Sequence, residues 1–186
     1  MVNKTLNFIT SNPKKVFEFQ KRLLPFKVKQ LYIELEEIQS IDPDAIIKHK
    51  LKEAFKHHKG PFLIEDVSLF LECLGGKLPG PFIKFFNEYL GAKGITQIAQ
   101  VTKQLGAKAV VIIAYAKSMN KVKFFKSEVR GKIVSPRGKY KFGFDQFFVP
   151  NGYTQTLSEM KEKGDFAHSP RSKTIDKLKK YLTIVA

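Results

Sequence analysis

The sequence predicts an α/β fold with a long mixed sheet and flanking helices. Three observations carry this reading. In the first third of the chain, short apolar segments alternate with helix-start signals. Further on, an apolar run, Ala109–Ala116, is followed by a stretch of strict two-residue alternation, Lys123–Ile133. Near the end, Ile175, Leu178 and Leu182 recur at helical spacing within Ser172–Leu182.

The elements follow in order. Thr5–Thr10 reads as a buried opening strand. Asn12 can cap a helix and Pro13 suits its first position, after which Val16, Phe19, Leu23 and Leu24 fall at helical spacing. Val28–Leu31 is a short second strand. Asp42 and Pro43 repeat the cap-and-proline start; Ile47, Leu51, Ala54 and Phe55 form the buried stripe, with Lys48, Lys52, Lys56 and Lys59 on the other side. Phe62–Ile64 is a third strand that ends at Glu65-Asp66. Two helices are expected within Ile83–Leu90 and Ile95–Leu105. The Ala109–Ala116 strand turns near Met119-Asn120. In the return strand Phe125, Ser127, Val129, Gly131 and Ile133 face one way, and Lys126, Glu128, Arg130 and Lys132 the other.

A chain of 186 residues suits a single domain, or one divided into two lobes around a cleft. Hydrophobic residues make up 43%, with 17 Phe and no Trp, enough for a real core. No apolar run approaches the roughly 18–20 residues needed to cross a bilayer. The N-terminal segment has no long apolar stretch of the signal-peptide kind. Cys73 is the only cysteine, so a disulfide within the chain is impossible, which suits a reducing cytoplasm. The 33 Lys and Arg against 17 Asp and Glu leave a net charge of +16. Such a surface draws polyanions, whether nucleotides, nucleic acid or an acidic membrane face, and charge alone does not choose among them. A solvated lysine-rich surface is the plain alternative.

Three groups of residues could carry chemistry. Thr10-Ser11-Asn12-Pro13-Lys14-Lys15 joins a strand to a helix start, where free N–H groups and the helix dipole favour an anion. An ordinary capped helix explains the same residues. Glu36, Glu37, Glu65 and Asp66 form an acidic set. The last two stand at the expected carboxyl end of a strand, the edge where open α/β sheets bind ligands. Converging there, two or three carboxylates would hold Mg²⁺ through oxygen, unless they are merely a solvated turn. The third group runs from Gly138 to Phe148 (GKYKFGFDQFF). Its aromatics could bear a flat base and Asp145 could accept from ring N–H groups, although Phe is common in cores. His49, His57, His58 and His168 lack a two-histidine zinc pattern, and there is no cysteine pair. Cys73, between Leu71 and Leu74, reads as core. Neither a Walker-type loop nor G-x-S-x-G occurs.

In order, these segments resemble the inosine triphosphate pyrophosphatase family, the non-canonical purine nucleoside triphosphatases. ITSNPKKV resembles the family's Thr-x-Asn-x-x-Lys phosphate motif, matched by Thr10, Asn12 and Lys15. EEIQ resembles the segment that supplies a metal-binding glutamate, matched by Glu37. LIEDVSLFLECLGGKLPGPFIKFF resembles the Glu-Asp motif and the LGGLPGPY-type sequence after it. GKIVSPRGKYKFGFDQFFVPNGYTQTLSEM resembles the late family block. The resemblance runs from about residue 6 to 175.

It implies an elongated two-lobed fold with the active site in the cleft between lobes, a homodimer and a Mg²⁺ cofactor. It also implies hydrolysis of ITP, dITP and XTP to monophosphate and pyrophosphate. By position, Asp66 and Glu37 would be the metal ligands and, with Glu65 and Lys15, the catalytic set. Thr10, Asn12, Lys15 and Lys50 would contact the triphosphate. Phe142, Gly143, Phe144 and Asp145 would line the base pocket, and Ser169 and Arg171 match the family's Ser-His-Arg. The competing expectation is a nucleotide- or nucleic-acid-binding protein on the same fold, with weak or lost catalysis.

The departures from the family cluster at the base end. Asp165-Phe166 stand where the family has Lys-Asn, Pro170 where it has His, and Gln146 where it has Pro. Val67 follows Glu-Asp, and Lys77 is inserted. Together they imply retained pyrophosphohydrolase chemistry with relaxed or shifted base specificity.

Overall fold

The structure, a computed structural model, describes residues 5–185; residues 1–4, part of the segment read for a signal peptide, lie outside it. The fold is α/β. A mixed seven-stranded sheet runs in the order β2 (Lys27–Leu31), β1 (Thr5–Ile9), β3 (Phe62–Leu71), β5 (Gly106–Ser118), β6 (Lys121–Ile133) and β7 (Phe148–Pro150), with β4 (Pro79–Gly80) paired to β3. Contacts divide the chain into two compact units, residues 1–66, 111–127 and 171–186, and residues 67–110 and 128–170.

In the first unit, β1 (Thr5–Ile9) pairs parallel with β2 (Lys27–Leu31) and with β3 (Phe62–Leu71). Helix α1 (Pro13–Arg22) starts as expected: the Asn12 side chain accepts from the amides of Lys14 and Lys15, and Pro13 follows. It stops at Arg22, because Pro25 can neither donate to a further turn nor continue it. Leu24, read at helical spacing with Val16, Phe19 and Leu23, lies beyond the helix and is exposed. Helix α2 (Pro43–His57) is capped by Asp42 and buries Ile46, Ile47, Lys50, Leu51, Glu53 and Ala54.

Helices cover both faces of this part of the sheet. Phe8 stacks on Phe19 of α1, and Tyr115 and Phe125 pack on Tyr181 of α6 (Pro170–Val185). On the other face Phe62 packs against Phe55 of α2. The hairpin is longer than expected, β5 (Gly106–Ser118) and β6 (Lys121–Ile133), but turns at Met119-Asn120 as read. Residues 125, 127, 129, 131 and 133 of β6 are buried and alternate with exposed ones.

The second unit has its own core. Leu69 and Leu71 of β3, Ile83 of α3 (Ile83–Tyr89), and Ile95 and Ala99 of α4 (Gly91–Thr102) pack with Phe144, Phe147, Phe148, Leu157 and Met160. Cys73, expected in the core, is partly buried against it. Two short strands escaped the sequence reading, β4 (Pro79–Gly80) and β7 (Phe148–Pro150). So did helix α5 (Leu157–Glu162), which Thr156 and Glu159 open with a reciprocal capping box. Among the described residues no helix is long and apolar enough to cross a membrane.

Candidate active site

The strand β3 does not end at Glu65-Asp66. It continues to Leu71, and both carboxylates lie in mid-strand, two and three residues beyond the last β1 pairing at Leu63. This corrects the expectation of a strand terminus. Its physical consequence is that successive side chains point to opposite faces. Glu65 turns toward α1 and α6, and Asp66, in phase with Phe62, toward α2.

On the first face Glu65 is fully enclosed by cations. Its carboxylate accepts from Arg171 Nε at 2.7 Å and pairs with Lys15 Nζ at 2.9 Å. Arg171 reaches on to Glu18 at 3.0 Å. Burial pushes the Glu65 carboxyl up, but Arg171 and Lys15 together outweigh it and hold it below the usual range. Burial opposes the Arg171 charge too, and Glu65 and Glu18 more than compensate. Arg171, expected to bind substrate, is thus committed in this structure to two buried carboxylates.

On the second face Lys50 of α2 lies between two carboxylates, 2.9 Å from Glu37 Oε1 and 3.1 Å from Asp66 Oδ1. Burial works against the Lys50 charge, yet Asp66 and Glu37 hold its ammonium above the usual lysine range. The pair does not divide evenly. Burial is the largest influence on Asp66 and pushes its carboxyl up; Lys50 and Lys15 pull it back only in part, and the charge of Glu37 adds to the rise. Glu36 meets α2 through its backbone carbonyl, which accepts from His49 Nδ1 at 3.1 Å.

The loop before α1 is built by its own side chains. Thr10 Oγ1 accepts from the Asn12 amide at 3.1 Å, and Asn12 Oδ1 from the Lys14 amide at 3.0 Å. Thr10 and Asn12 therefore shape the turn that aims Lys15. Glu37, on an irregular segment with its side chain 57% exposed, and buried Asp66 meet on a single ammonium. Among the described residues no three acidic, histidine or cysteine side chains form a metal cage. Two hard oxygen donors brought to one cation nevertheless fit Mg²⁺, which typically takes one or two carboxylates and completes its shell with substrate phosphate and water.

The second unit holds the expected base residues. Asp145 is buried and pairs at 2.7 Å with Lys161 Nζ. The ammonium also lies 5.0 Å from the Tyr140 ring, 5.7 Å from Phe142 and 6.0 Å from Phe166. Phe142 is half-buried and Gly143 exposed, whereas Phe144 is a core residue, 5.7 Å from Phe148 and edge-on to it. Ser169 is buried. Of the departing residues, Asp165 pairs with His168 at 2.8 Å and accepts from the Ala167 amide. Phe166 meets Tyr140 edge to face, and Pro170 opens α6, the position where its missing N–H costs nothing.

Sequence reasoning missed Lys161 and Glu18. The pattern Thr156-Leu157-Ser158-Glu159 marks a helix start and would have put Lys161 in a helix. Glu18 lies three residues after Lys15 on α1, on the same helical face.

The model of the Ham1 family matches residues 6–181. This chain belongs to the Ham1 family. The fold of this Ham1 chain is shared by solved structures. The Ham1 protein of Staphylococcus aureus superposes with a TM-score of 0.81 at 20% identity, over 98% of this chain and all (100%) of its own. A HAM1 protein from Coxiella burnetii gives 0.79 at 23%, over 97% and 98%. A nucleoside-triphosphatase / dITP/XTP pyrophosphatase from Mycobacterium abscessus gives 0.62 at 23%, also over 97% and 98%.

Proposed function

We propose that this Ham1-family protein is a nucleoside triphosphate pyrophosphohydrolase. Water attacks the α-phosphorus and the α–β anhydride bond breaks. The products are a monophosphate, pyrophosphate and a proton. The observation that carries this reading is the buried carboxylate of Asp66 standing beside Lys50, within the field of Lys15, with Glu37 on the same ammonium.

In this reading Lys15 and Lys50 hold the triphosphate and stabilise the charge that develops on the leaving pyrophosphate. Asp66, made more basic by burial, takes the proton of the attacking water. Glu37 and Asp66 would hold Mg²⁺, which offsets phosphate charge when bound. Glu65 is a positioning residue for Lys15, and Arg171 holds Glu65. Thr10 and Asn12 keep the loop in shape, and the aromatic site of the second unit takes the base. The substrates we assign are ITP, dITP and XTP; dITP and XTP are the two named for the similar mycobacterial protein, and ITP is the ribose counterpart of dITP.

The test is pyrophosphate release with Mg²⁺ from ITP, dITP, XTP, ATP, GTP, CTP and UTP. Turnover led by the first three and abolished by a chelator is the expected result. Turnover spread evenly over all bases would refute the substrate assignment and bear out instead the relaxed base specificity expected from Asp165, Phe166 and Pro170. Binding without turnover of any nucleotide would leave a nucleotide-binding protein on this fold.

We also propose a homodimer. Phe85, Tyr89 and Leu90, on and just after α3, are large, apolar and exposed, as an interface would be before its partner covers it. Sedimentation as a monomer at micromolar concentration would refute it.

A further inference from the structure

We infer that Lys161, together with Asp145, is the specificity-determining pair that reads the edge of the base, and that it selects bases with a keto oxygen beside a ring N–H. This inference rests on the proposed function only in assigning a nucleotide to the site.

The pair is built for a buried role. Lys161 lies on α5, and its side chain is 1% exposed against 7% for Asp145. An ammonium taken out of water is costly unless paired, and Asp145 at 2.7 Å supplies the pairing. The rings of Tyr140, Phe142 and Phe166 stand around the same nitrogen, all within 6.0 Å. Ring faces attract a cation and also stack on a flat heterocycle. These rings are half-buried, and Gly143, next to Phe142, is exposed. A Cβ built on Gly143 would meet nothing within 4 Å. The loop that carries the aromatic corner is therefore open to solvent at Gly143.

The chemistry of the pair is directional. An ammonium carries three donors and a carboxylate only acceptors. Side by side they complement a lactam edge, in which the keto oxygen accepts and the neighbouring ring N–H donates. Hypoxanthine, xanthine and guanine present that edge, so the pair sets 6-keto purines against adenine. Adenine presents the reverse, an amino donor beside a ring-nitrogen acceptor, and would set donor against donor and acceptor against acceptor. A site built to hydrogen-bond one pattern rejects the other strongly, because its buried polar groups are left unmatched.

The neighbouring candidates for this role are otherwise engaged. Asp165 is itself an acceptor and pairs with His168 at 2.8 Å. Pro170 has no side-chain donor and opens α6. The positive donor that residue 165 does not supply is supplied, four residues earlier, by Lys161.

The experiment measures, by calorimetry and without metal, the affinities of the full chain for IMP and AMP. The wild type should favour IMP. In Lys161→Met the IMP:AMP affinity ratio should fall by about tenfold or more, and Lys161→Arg should recover part of it. If Lys161→Met does not fold, the neutral pair Lys161→Gln with Asp145→Asn is read instead, with the same expected fall. An unchanged ratio, or a wild type that binds neither nucleotide, overturns the inference. Pyrophosphate release from ITP by the wild type is scored separately, so that loss of the catalytic reading and loss of this pair are told apart.

Discussion

Replacing Asp66 by Asn should lower pyrophosphate release from ITP by about a thousandfold or more, within the range for loss of a general base that also binds metal. The substitution keeps the shape of the side chain and removes its charge and basicity. The fold should tolerate it. Asp66 is buried and burial already disfavours its charge, while Lys50 keeps Glu37 as a partner at 2.9 Å. Stability to urea should therefore change by no more than about 1 kcal/mol. A folded Asp66→Asn protein that retained a tenth of wild-type turnover would remove Asp66 from the chemistry.

The largest expected loss of stability lies on the opposite face of β3. Arg171→Met leaves Glu65 and Glu18 buried and facing each other without the guanidinium between them. Removing one partner from a buried ion-pair network costs about 3–5 kcal/mol. For a chain of this length, at about 2–4 °C per kcal/mol, that is a fall in Tm of roughly 6–20 °C. The pH dependence has a definite sign. In the wild type the Glu65 carboxyl is held below its ordinary value, so its contribution is present above the unfolded-state value and is lost as pH falls through the depressed one. In Arg171→Met burial is opposed by Lys15 alone, and the carboxyl moves up; that variant gains on acidification where the wild type loses. The gap between the two should thus narrow from pH 7 toward pH 4. A variant melting within about 2 °C of wild type at pH 7 would show that Arg171 does not carry this load.

Much of the first unit was legible because its signals are local. Asn12-Pro13 and Asp42-Pro43 each put a capping side chain and a preset φ next to one another in sequence, and both open helices as read. The alternation of β6 was legible because one face of that strand meets solvent. The course of β3 was not. Nine of its ten residues are buried, so no polar face marks its period, and its two acids looked like a break. What lets charges lie inside that strand comes from Lys15, Lys50 and Arg171, remote in the chain and invisible in any short window. Lys161 was hidden for a similar reason: among 33 basic residues, a buried ammonium is told from a solvated one only by its surroundings.

The mid-strand position of Glu65-Asp66 limits how this protein can vary in length. A residue inserted into or deleted from β3 ahead of the pair would turn each acid to the other side, setting Asp66 against Arg171 and Glu65 against Lys50. Both side chains differ by one methylene from what each partner now meets, so the exchange would not be silent. The irregular segment that carries Glu37 between β2 and α2 has no such lock. Insertions and deletions around this centre should therefore accumulate between residues 32 and 42 and be absent from 62 to 66. In a library of single-residue indels, the survivors would trace that boundary.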